Sequence, residues 1–321
     1  MLLSTNPMHI PDGFLSVLVS LGMWVISAVI IGIALRKTKD ELGEREVPLM
    51  GVLAAAIFAG QMLNFSVAGG TSGHLLGAAI ATILVGPWAA ILVMTSVISV
   101  QALLFQDGGI LALGANLFNM AIVGVFVSYA VYNLLLRLFK KQPWGIFAAG
   151  FAAAWASIFI ASLACALQLA LSGTSPANIT VPTMGAIHAL IGSGEGLITT
   201  GALFFLLATR KDLLKLGEAS PTSNKSILIG GSLIGLTLVV LSPLASTHPD
   251  GLEWVAEQNG FIEHAKAAAY TLIPDYAIPG ITNPALATIA AGILGGVIVF
   301  AVAYGIARAE KRTAQQESLQ E

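Results

Sequence analysis

The sequence predicts an all-α polytopic membrane protein, and composition, hydropathy and apolar segment length support this prediction. Of the 321 residues, 56% are hydrophobic and only 10% are charged, and the mean hydropathy is +0.85. Soluble domains carry about 25% charged residues, and an apolar run of about 20 residues can cross a bilayer as a helix. We expect a seven-helix bundle followed by a two-helix C-terminal hairpin, all embedded in lipid.

Nine apolar segments are candidate spans, each bounded by polar, charged or glycine-rich residues. The first ends at the basic run after residue 35, and the second ends at the glycine-rich stretch 66–73. The third is short and stops at Gly86-Pro87, because proline cannot continue a helical hydrogen-bond ladder. Polar stretches after residues 105, 136, 171, 208 and 244 separate the others. The segments are 14–35, 47–65, 74–85, 87–105, 110–136, 144–171, 185–208, 227–244 and 284–307.

Lysine and arginine predict the orientation, because cytoplasmic loops of membrane proteins are enriched in them. With nine spans, 14 of the 15 basic residues fall on the side of the C-terminus, and Lys266 is the exception. We expect the C-terminus to be cytoplasmic and the N-terminus to lie outside, in the cell (inner, cytoplasmic) membrane. All five histidines then lie outside or in the outer third of a span.

Composition also predicts the domain boundaries. The charged stretch 211–226, which contains Pro221, separates a seven-span unit at 8–210 from a two-span unit at 227–307. We expect the stretch to be a cytoplasmic linker, the second unit to be an accessory module, and residues 308–321 to be a solvated tail.

Met8-His9 is the strongest candidate for metal binding. If Met8 is the first residue, its amine, the deprotonated amide of His9 and the His9 imidazole chelate one cation in a plane. One further imidazole completes a square, which favours Ni(II) or Cu(II) over Zn(II). The alternative is an ordinary loop histidine before a Pro11-Asp12-Gly13 turn. Residues 1–7 have no basic or apolar region typical of a signal peptide, and we expect the working start to be Met8.

His74 is the candidate for the fourth nitrogen ligand. It follows the glycine-rich stretch Gly69-Gly70-Thr71-Ser72-Gly73 and opens an apolar segment, so a simple helix-terminus hydrogen bond is the alternative role. Gln61 and Asn64 on the preceding segment are candidates for outer partners that fix the imidazole tautomer.

His188 and Glu195 are candidates for outer-shell or gating roles. They lie seven residues apart, so they share one helix face. Ionisable side chains inside a membrane are often functional, although a paired structural contact is an equally good interpretation. His248, which precedes Pro249-Asp250-Gly251, is most simply a loop residue.

Several function classes are excluded or disfavoured. The basic residues are too scattered for a nucleic-acid-binding face, and the lone Cys165 allows neither an internal disulfide nor a thiolate cluster. No phosphate-binding GxxxxGK[ST] loop is present, so active transport needs ATPase partners or an ion gradient, and sparse intramembrane charge favours partners. Gly70-Thr71-Ser72-Gly73 with His188 resembles the serine–histidine pair of rhomboid proteases, but no other landmark of that family accompanies it.

The chain resembles the CbiM/NikM family, the substrate-binding (M) components of energy-coupling-factor cobalt and nickel transporters. The resemblance covers about residues 8–210 and is carried by MHIPDGFL, GTSGHLLGAAIATILVGPWAAILVM, QALLFQDGGILALGANLFNMAIVG and HALIGSGEGLIT. The C-terminal part resembles the PDGLE-type N module, through Pro249-Asp250-Gly251-Leu252-Glu253.

The resemblance implies a seven-helix substrate-binding subunit of an ATP-driven importer, with no resident cofactor and no enzymatic activity of its own. It places the metal ligands at Met8, His9 and His74, and it implies a transmembrane coupling (T) subunit and cytoplasmic ATPase (A) subunits as partners. Ni(II) and Co(II) both fit, and the PDGLE module favours nickel. The alternatives are a membrane metal-sensing or accessory protein without transport and, more remotely, an intramembrane serine protease.

Overall fold

The computed structural model describes residues 9–140, 142–214 and 224–318, so Met8 and residues 1–7 lie outside the described part of the chain. The all-α polytopic architecture is confirmed. Seven helices in the described part are long and apolar enough to cross a membrane. They are Val17–Lys39, Pro87–Phe105, Leu113–Leu138, Pro143–Leu171, Ala177–Thr209, Asn224–Leu244 and Pro284–Gln316.

The helices and strands follow one another along the chain with few long connections. The α-helices are α1 (Val17–Glu41), α2 (Glu46–Gln61), α3 (Ala78–Val85), α4 (Pro87–Val100), α5 (Leu113–Asn116), α6 (Gly124–Leu138), α7 (Pro143–Leu171), α8 (Ala177–Thr209), α9 (Asn224–Leu241), α10 (Gly251–Gln258) and α11 (Pro284–Ser318). π-Helical turns at Gln101–Phe105 and Leu117–Val123 extend α4 and join α5 to α6. Short 3-10 turns occur at Lys211–Leu214, Ser242–Leu244, Ile262–His264 and Pro274–Tyr276.

The predicted third span, 74–85, is wrong as a membrane crossing. Its helical part, α3, has eight residues and rises only about 12 Å, whereas a bilayer core is about 30 Å thick. Gly77 and Gly86, both with positive φ, bound the helix. The backbone N–H groups of Leu76 and Gly77 are bound by the Glu195 side chain, which holds the preceding residues outside the helix. The predicted orientation relied on nine spans, and it therefore stays a prediction.

A small antiparallel hairpin, β1 (Phe65–Val67) and β2 (Thr71–Gly73), replaces the end of the predicted second span and the glycine-rich loop. Gly69 and Gly70 form its turn with φ of 83° and 78°, values that side-chain-bearing residues rarely adopt. Residues 71–73 are buried. The hairpin leads directly into His74.

Helix α4 is at the centre of the bundle. It contacts α1, α2, α3 and α11, and Ile91, Val93 and Met94 are completely buried. Counting α5 and α6 as one continuous helix, seven helices precede Arg210, in agreement with the predicted bundle. Helix α8 begins at Ala177, eight residues before the predicted span, and continues past Pro182.

The C-terminal helices pack directly on the N-terminal bundle along α2. Glycines at the contacts leave room for the opposing side chains: a Cβ on Gly231 would lie 1.7 Å from Val52, and one on Gly295 would lie 2.2 Å from Phe58. Such small residues let membrane helices approach closely. Helix α9 begins inside the predicted linker, and α11 continues through much of the predicted tail, where Lys311 forms an ion pair with Glu44.

Candidate metal site

A cavity of about 90 Å³ lies between the N-terminal segment, the end of β2, α7, α8 and the start of α10. By volume it has room for several water molecules. Three of the five histidines line it, together with one carboxylate and the single cysteine: His9, His74, His188, Asp250 and Cys165. The C-terminal module therefore supplies one wall of a cavity whose other walls belong to the seven-helix bundle.

Asn116 fixes the N-terminal segment in this cavity. Its side-chain oxygen accepts from the backbone N–H of Ile10 at 3.0 Å, and its amide nitrogen donates to the Ile10 carbonyl oxygen at 3.1 Å. The Asp12 carboxylate accepts from the backbone N–H of Ala112 at 2.9 Å. Because Asn116 and Ile10 are buried, these bonds replace hydration that the segment loses.

His9 is 3% exposed and is held by Asp107. Its backbone N–H donates to Asp107 Oδ1 at 3.2 Å, and its Nδ1 lies 3.3 Å from the Asp107 carbonyl oxygen and 3.5 Å from Oδ1. Since a carbonyl oxygen can only accept, Nδ1 carries the ring proton. Nε2 is buried and has no hydrogen-bond partner in the described part of the chain.

His74 lies next to His9, with ring centroids 5.6 Å apart and ring planes at 74°. Its Nδ1 donates to the Leu75 carbonyl oxygen at 2.9 Å, which places the ring lone pair on Nε2. The segment after it is held by Glu195, which accepts from Leu76 and Gly77 N–H at 2.8 and 3.0 Å. Gln61 donates to the Leu76 carbonyl oxygen at 2.8 Å. Glu195 and Gln61 therefore position the backbone that carries His74.

His188 lines the same cavity from α8. Its Nδ1 donates to the Met184 carbonyl oxygen at 2.9 Å, one turn earlier on the same helix. Its Nε2 side faces Gly251 of α10, where an added Cβ would lie 3.0 Å from Nε2. Glycine at this position lets the C-terminal module approach the ring closely.

Three other sequence candidates have different contacts. The Asn64 backbone carbonyl accepts from Ser246 N–H at 2.8 Å, and its side chain is not among those that line the cavity. The Ser72 hydroxyl donates to the His248 carbonyl oxygen at 2.8 Å, so it holds the C-terminal module. The His248 side chain is exposed.

Asp107, Asn116, Tyr276 and Asp250 were missed by the sequence reasoning. Tyr276 donates to Asp107 Oδ2 at 2.5 Å, and burial together with the nearby Asp107 carboxylate raises the pKa of Tyr276, which keeps the hydroxyl protonated. Burial also raises the pKa of Asp250 well above its usual range, against the opposing hydrogen bond from Glu253 N–H. The one available signal was Asn116, a polar residue inside the apolar segment 110–136.

In residues 9–140, 142–214 and 224–318, no three His, Cys, Asp or Glu side chains are close enough together to enclose a cation. The structure thus brings His9, His74 and His188 to one cavity without forming a closed coordination shell. Met8, the predicted amine ligand, lies outside the described residues.

Two family profiles match the chain. Residues 9–213 match CbiM, the cobalt uptake substrate-specific transmembrane region, and residues 224–312 match the PDGLE domain. A crystal structure of a transition metal transporter is 33% identical, with a TM-score of 0.57, and the match covers 63% of this chain and 94% of that chain.

Relatives match this chain over nearly the whole of their own length. A putative fused nickel transport protein from Archaeoglobus fulgidus is 37% identical over 94% of this chain and 98% of its own. A fused nickel transport protein from Rhodobacter capsulatus is 30% identical over 92% of this chain and 95% of its own. A cobalt transport protein from Sorangium cellulosum is 32% identical over 64% of this chain and 94% of its own. The chain therefore belongs to the CbiM/NikMN family of nickel and cobalt transport proteins, as a multi-pass membrane transporter subunit and not an enzyme.

Proposed function

We propose that this chain is the high-affinity substrate-binding subunit of an ATP-driven energy-coupling-factor importer for Ni(II) or Co(II) in the cytoplasmic membrane. The observation that carries the proposal is that His9, which is buried, and His74, which is half-buried, line one cavity of the bundle with ring centroids 5.6 Å apart. Two imidazoles that bind one cation at neighbouring positions, about 2.1 Å from each nitrogen, have ring centroids roughly 4.5–5.5 Å apart. The observed 5.6 Å is close to this range, so a small movement of either ring brings both to one metal ion.

The metal ligands in this proposal are the Met8 amine, the His9 amide and imidazole, and His74. They select by geometry, since four nitrogens in a plane suit Ni(II), whereas Mg(II) prefers oxygen ligands. Nickel is favoured slightly because relatives matching most of the chain are named nickel transport proteins. The His9 N–H now donates to Asp107, so planar binding requires His9 to turn away from this carboxylate.

The partners in this proposal are a transmembrane coupling subunit and cytoplasmic ATPases. The sequence contains no phosphate-binding loop with which to hydrolyse ATP itself. We propose that 8–210 forms the metal-binding unit and 227–307 the accessory unit, with the N-terminus outside. Uptake of radioactive nickel by cells that express this chain with both partner types, and none with the chain alone, supports the importer. Uptake independent of the partners would contradict it.

The proposed site is tested by Ni(II) titration of protein that begins at Met8, followed by visible absorption and magnetic susceptibility. We expect a yellow, diamagnetic, one-to-one complex, because low-spin square-planar Ni(II) has no unpaired electrons. His9→Ala and His74→Ala should each weaken binding at least about 100-fold, since each removes a metal ligand. Unchanged affinity in His74→Ala would eliminate the four-nitrogen site, and His248→Ala, on an exposed loop, is the matched control.

A further inference from the structure

Two helices that belong to different units of the chain meet at one end of the molecule. Helix α1 of the bundle and α11 of the C-terminal module are in contact. Lys39 is close enough to Glu310 for Coulombic attraction, and Lys311 pairs with Glu44 just beyond the end of α1. The completely buried residues near this end of the two helices are Ala34, Ala303 and Ala307. The helices therefore run in the same direction and reach the same membrane surface.

The lipid-facing side of α1 ends in basic residues. Leu18, Val25 and Val29 are exposed, and Arg36 lies five helical turns after Leu18, so it continues the same face. From Leu18 to Arg36 the helix rises about 27 Å, and the hydrocarbon core of a bilayer is about 30 Å thick. Arg36 therefore lies at the depth of the lipid headgroups, and so does Lys37, which is also exposed.

Helix α11 repeats this arrangement. Its exposed face includes Leu286, Leu294 and Val297, and Arg308 lies on the same side about six turns after Leu286, roughly 33 Å along the helix axis. Arg312 follows one turn later, and both arginines are exposed. The two helices thus place four cations near one headgroup level. This basic patch consists of Arg36, Lys37, Arg308 and Arg312.

The basic patch lacks the acidic partners that neighbouring basic residues have. Lys311 pairs with Glu44, and Arg45 pairs with Asp212. Among the residues that the structure describes, none of the four cations of the patch forms an ion pair. Cations at headgroup depth without an internal counter-ion attract anionic lipids.

We propose that the basic patch binds the phosphate of an anionic phospholipid, which bridges α1 of the bundle to α11 of the C-terminal module. Charge complementarity selects this lipid: an arginine guanidinium matches two phosphate oxygens, whereas a zwitterionic headgroup also brings a cation that the patch repels. The acyl chains lie along the exposed apolar faces that lead to Arg36 and Arg308. The bound lipid therefore connects the two units at the helix ends farthest from the metal cavity.

Native mass spectrometry and thermal unfolding of the full chain in detergent test the site. The probe is phosphatidylglycerol, and phosphatidylcholine is the zwitterionic control. We expect one retained phosphatidylglycerol per chain and a melting temperature at least about 2 °C higher, with neither effect from phosphatidylcholine. Equal effects of the two lipids would overturn the proposal. The same stabilisation by inorganic phosphate would also overturn it, because the patch would then bind a small anion and not a lipid.

A matched pair of double variants locates the binding. Arg36→Gln with Arg308→Gln removes one arginine from each helix, and Arg137→Gln with Lys140→Gln removes the same charge from exposed positions at the end of α6. We expect the first pair to reduce phosphatidylglycerol retention at least about fivefold and to abolish the rise in melting temperature. The second pair should behave as the unmodified chain does. Equal losses in both would show a general attraction to basic residues and would overturn the proposal.

A further double variant covers the case in which Arg36→Gln with Arg308→Gln does not fold. Lys37→Gln with Arg312→Gln again removes one cation of the patch from each helix and leaves the two arginines nearest the apolar faces in place. We expect weaker retention of phosphatidylglycerol than in the α6 control. Retention equal to that of the unmodified chain would contradict the proposal.

Discussion

Asn116 shows how a single buried amide determines where a metal ligand lies. It pairs with both backbone groups of Ile10, the residue after His9, while Asp107 holds His9 itself. Neither residue has a metal-binding pattern in the sequence, where they stand in a turn and in an apolar segment. Histidines can be identified as candidates from residue type. The residues that hold them in place cannot, because they lie 98 and 106 positions away in the sequence.

Asn116→Ala tests this role. The substitution leaves the buried N–H of Ile10 without a partner, which should destabilise the protein by about 1–3 kcal/mol and weaken nickel binding because His9 is no longer held. Thermal unfolding in detergent and Ni(II) titration measure the two effects. Asn133→Ala removes an exposed side-chain bond to the Tyr129 carbonyl and should change neither by more than about 0.5 kcal/mol. Unchanged nickel affinity in Asn116→Ala would refute the positioning role.

At the scale of elements, an ion-pair network joins the end of α8 to the start of α2. Arg210 binds both carboxylate oxygens of Asp212 at 3.0 Å, and Arg45 pairs with the same carboxylate. The hydrogen bond from Arg210 lowers the pKa of Asp212 to about 2, with Coulombic attraction from Arg210 and Arg45 adding to it against the opposing desolvation. The network fixes α2 and α8, which carry Gln61 and Glu195.

Asp212→Asn should lower the melting temperature at pH 7, and the difference in melting temperature from the wild type should become smaller in acid. The folded-state pKa lies below the unfolded value of 3.8, so the carboxylate stabilises the fold above pH 3.8, and its contribution is lost as pH falls through about 2. Melting temperatures of wild type and variant at pH 7 and pH 3 check the sign. Glu263→Gln, in an exposed loop, is the control, and a pH-independent deficit in Asp212→Asn would contradict the assignment.

The elements themselves were predictable to different degrees. Long apolar helices such as Pro143–Leu171 can be predicted from the sequence, because a helix in lipid must satisfy its own backbone hydrogen bonds. The β-hairpin and the short α3 were not, because their backbone groups are satisfied by distant residues. Ser72 N–H donates to the Pro249 carbonyl, and Leu76 N–H to Glu195. Local hydropathy cannot report such partners.

At the scale of the whole molecule, the C-terminal module and the bundle share one apolar interface and one cavity. The module reaches the cavity through Asp250 and Gly251 and contacts Asp107 through Tyr276. Its helix α11 packs by Gly295 against Phe58 and Phe105. A change at this helix contact should therefore alter metal binding at the proposed site.

Gly295→Leu and Gly296→Leu form a matched pair for this coupling. A side chain at Gly295 collides with Phe58 and Phe105, whereas nothing lies within 4 Å of a Cβ at Gly296. We expect Gly295→Leu to destabilise the protein by about 1–3 kcal/mol through overpacking and to speed nickel release into a chelator. Gly296→Leu should leave both unchanged. Equal release rates in the two variants would show that the module does not influence the site.

The amino-acid sequence alone was sufficient for the membrane class, the long helices and the choice of histidine candidates, because hydropathy and residue chemistry are local properties. Tertiary structure decided that α3 is too short to span, that Asp107 and Asn116 hold the N-terminal segment, and that His188 and the PDGLE segment meet His9 and His74 in one cavity. These features depend on which buried polar groups find partners across the fold, and burial makes such pairing obligatory without revealing it in the local sequence.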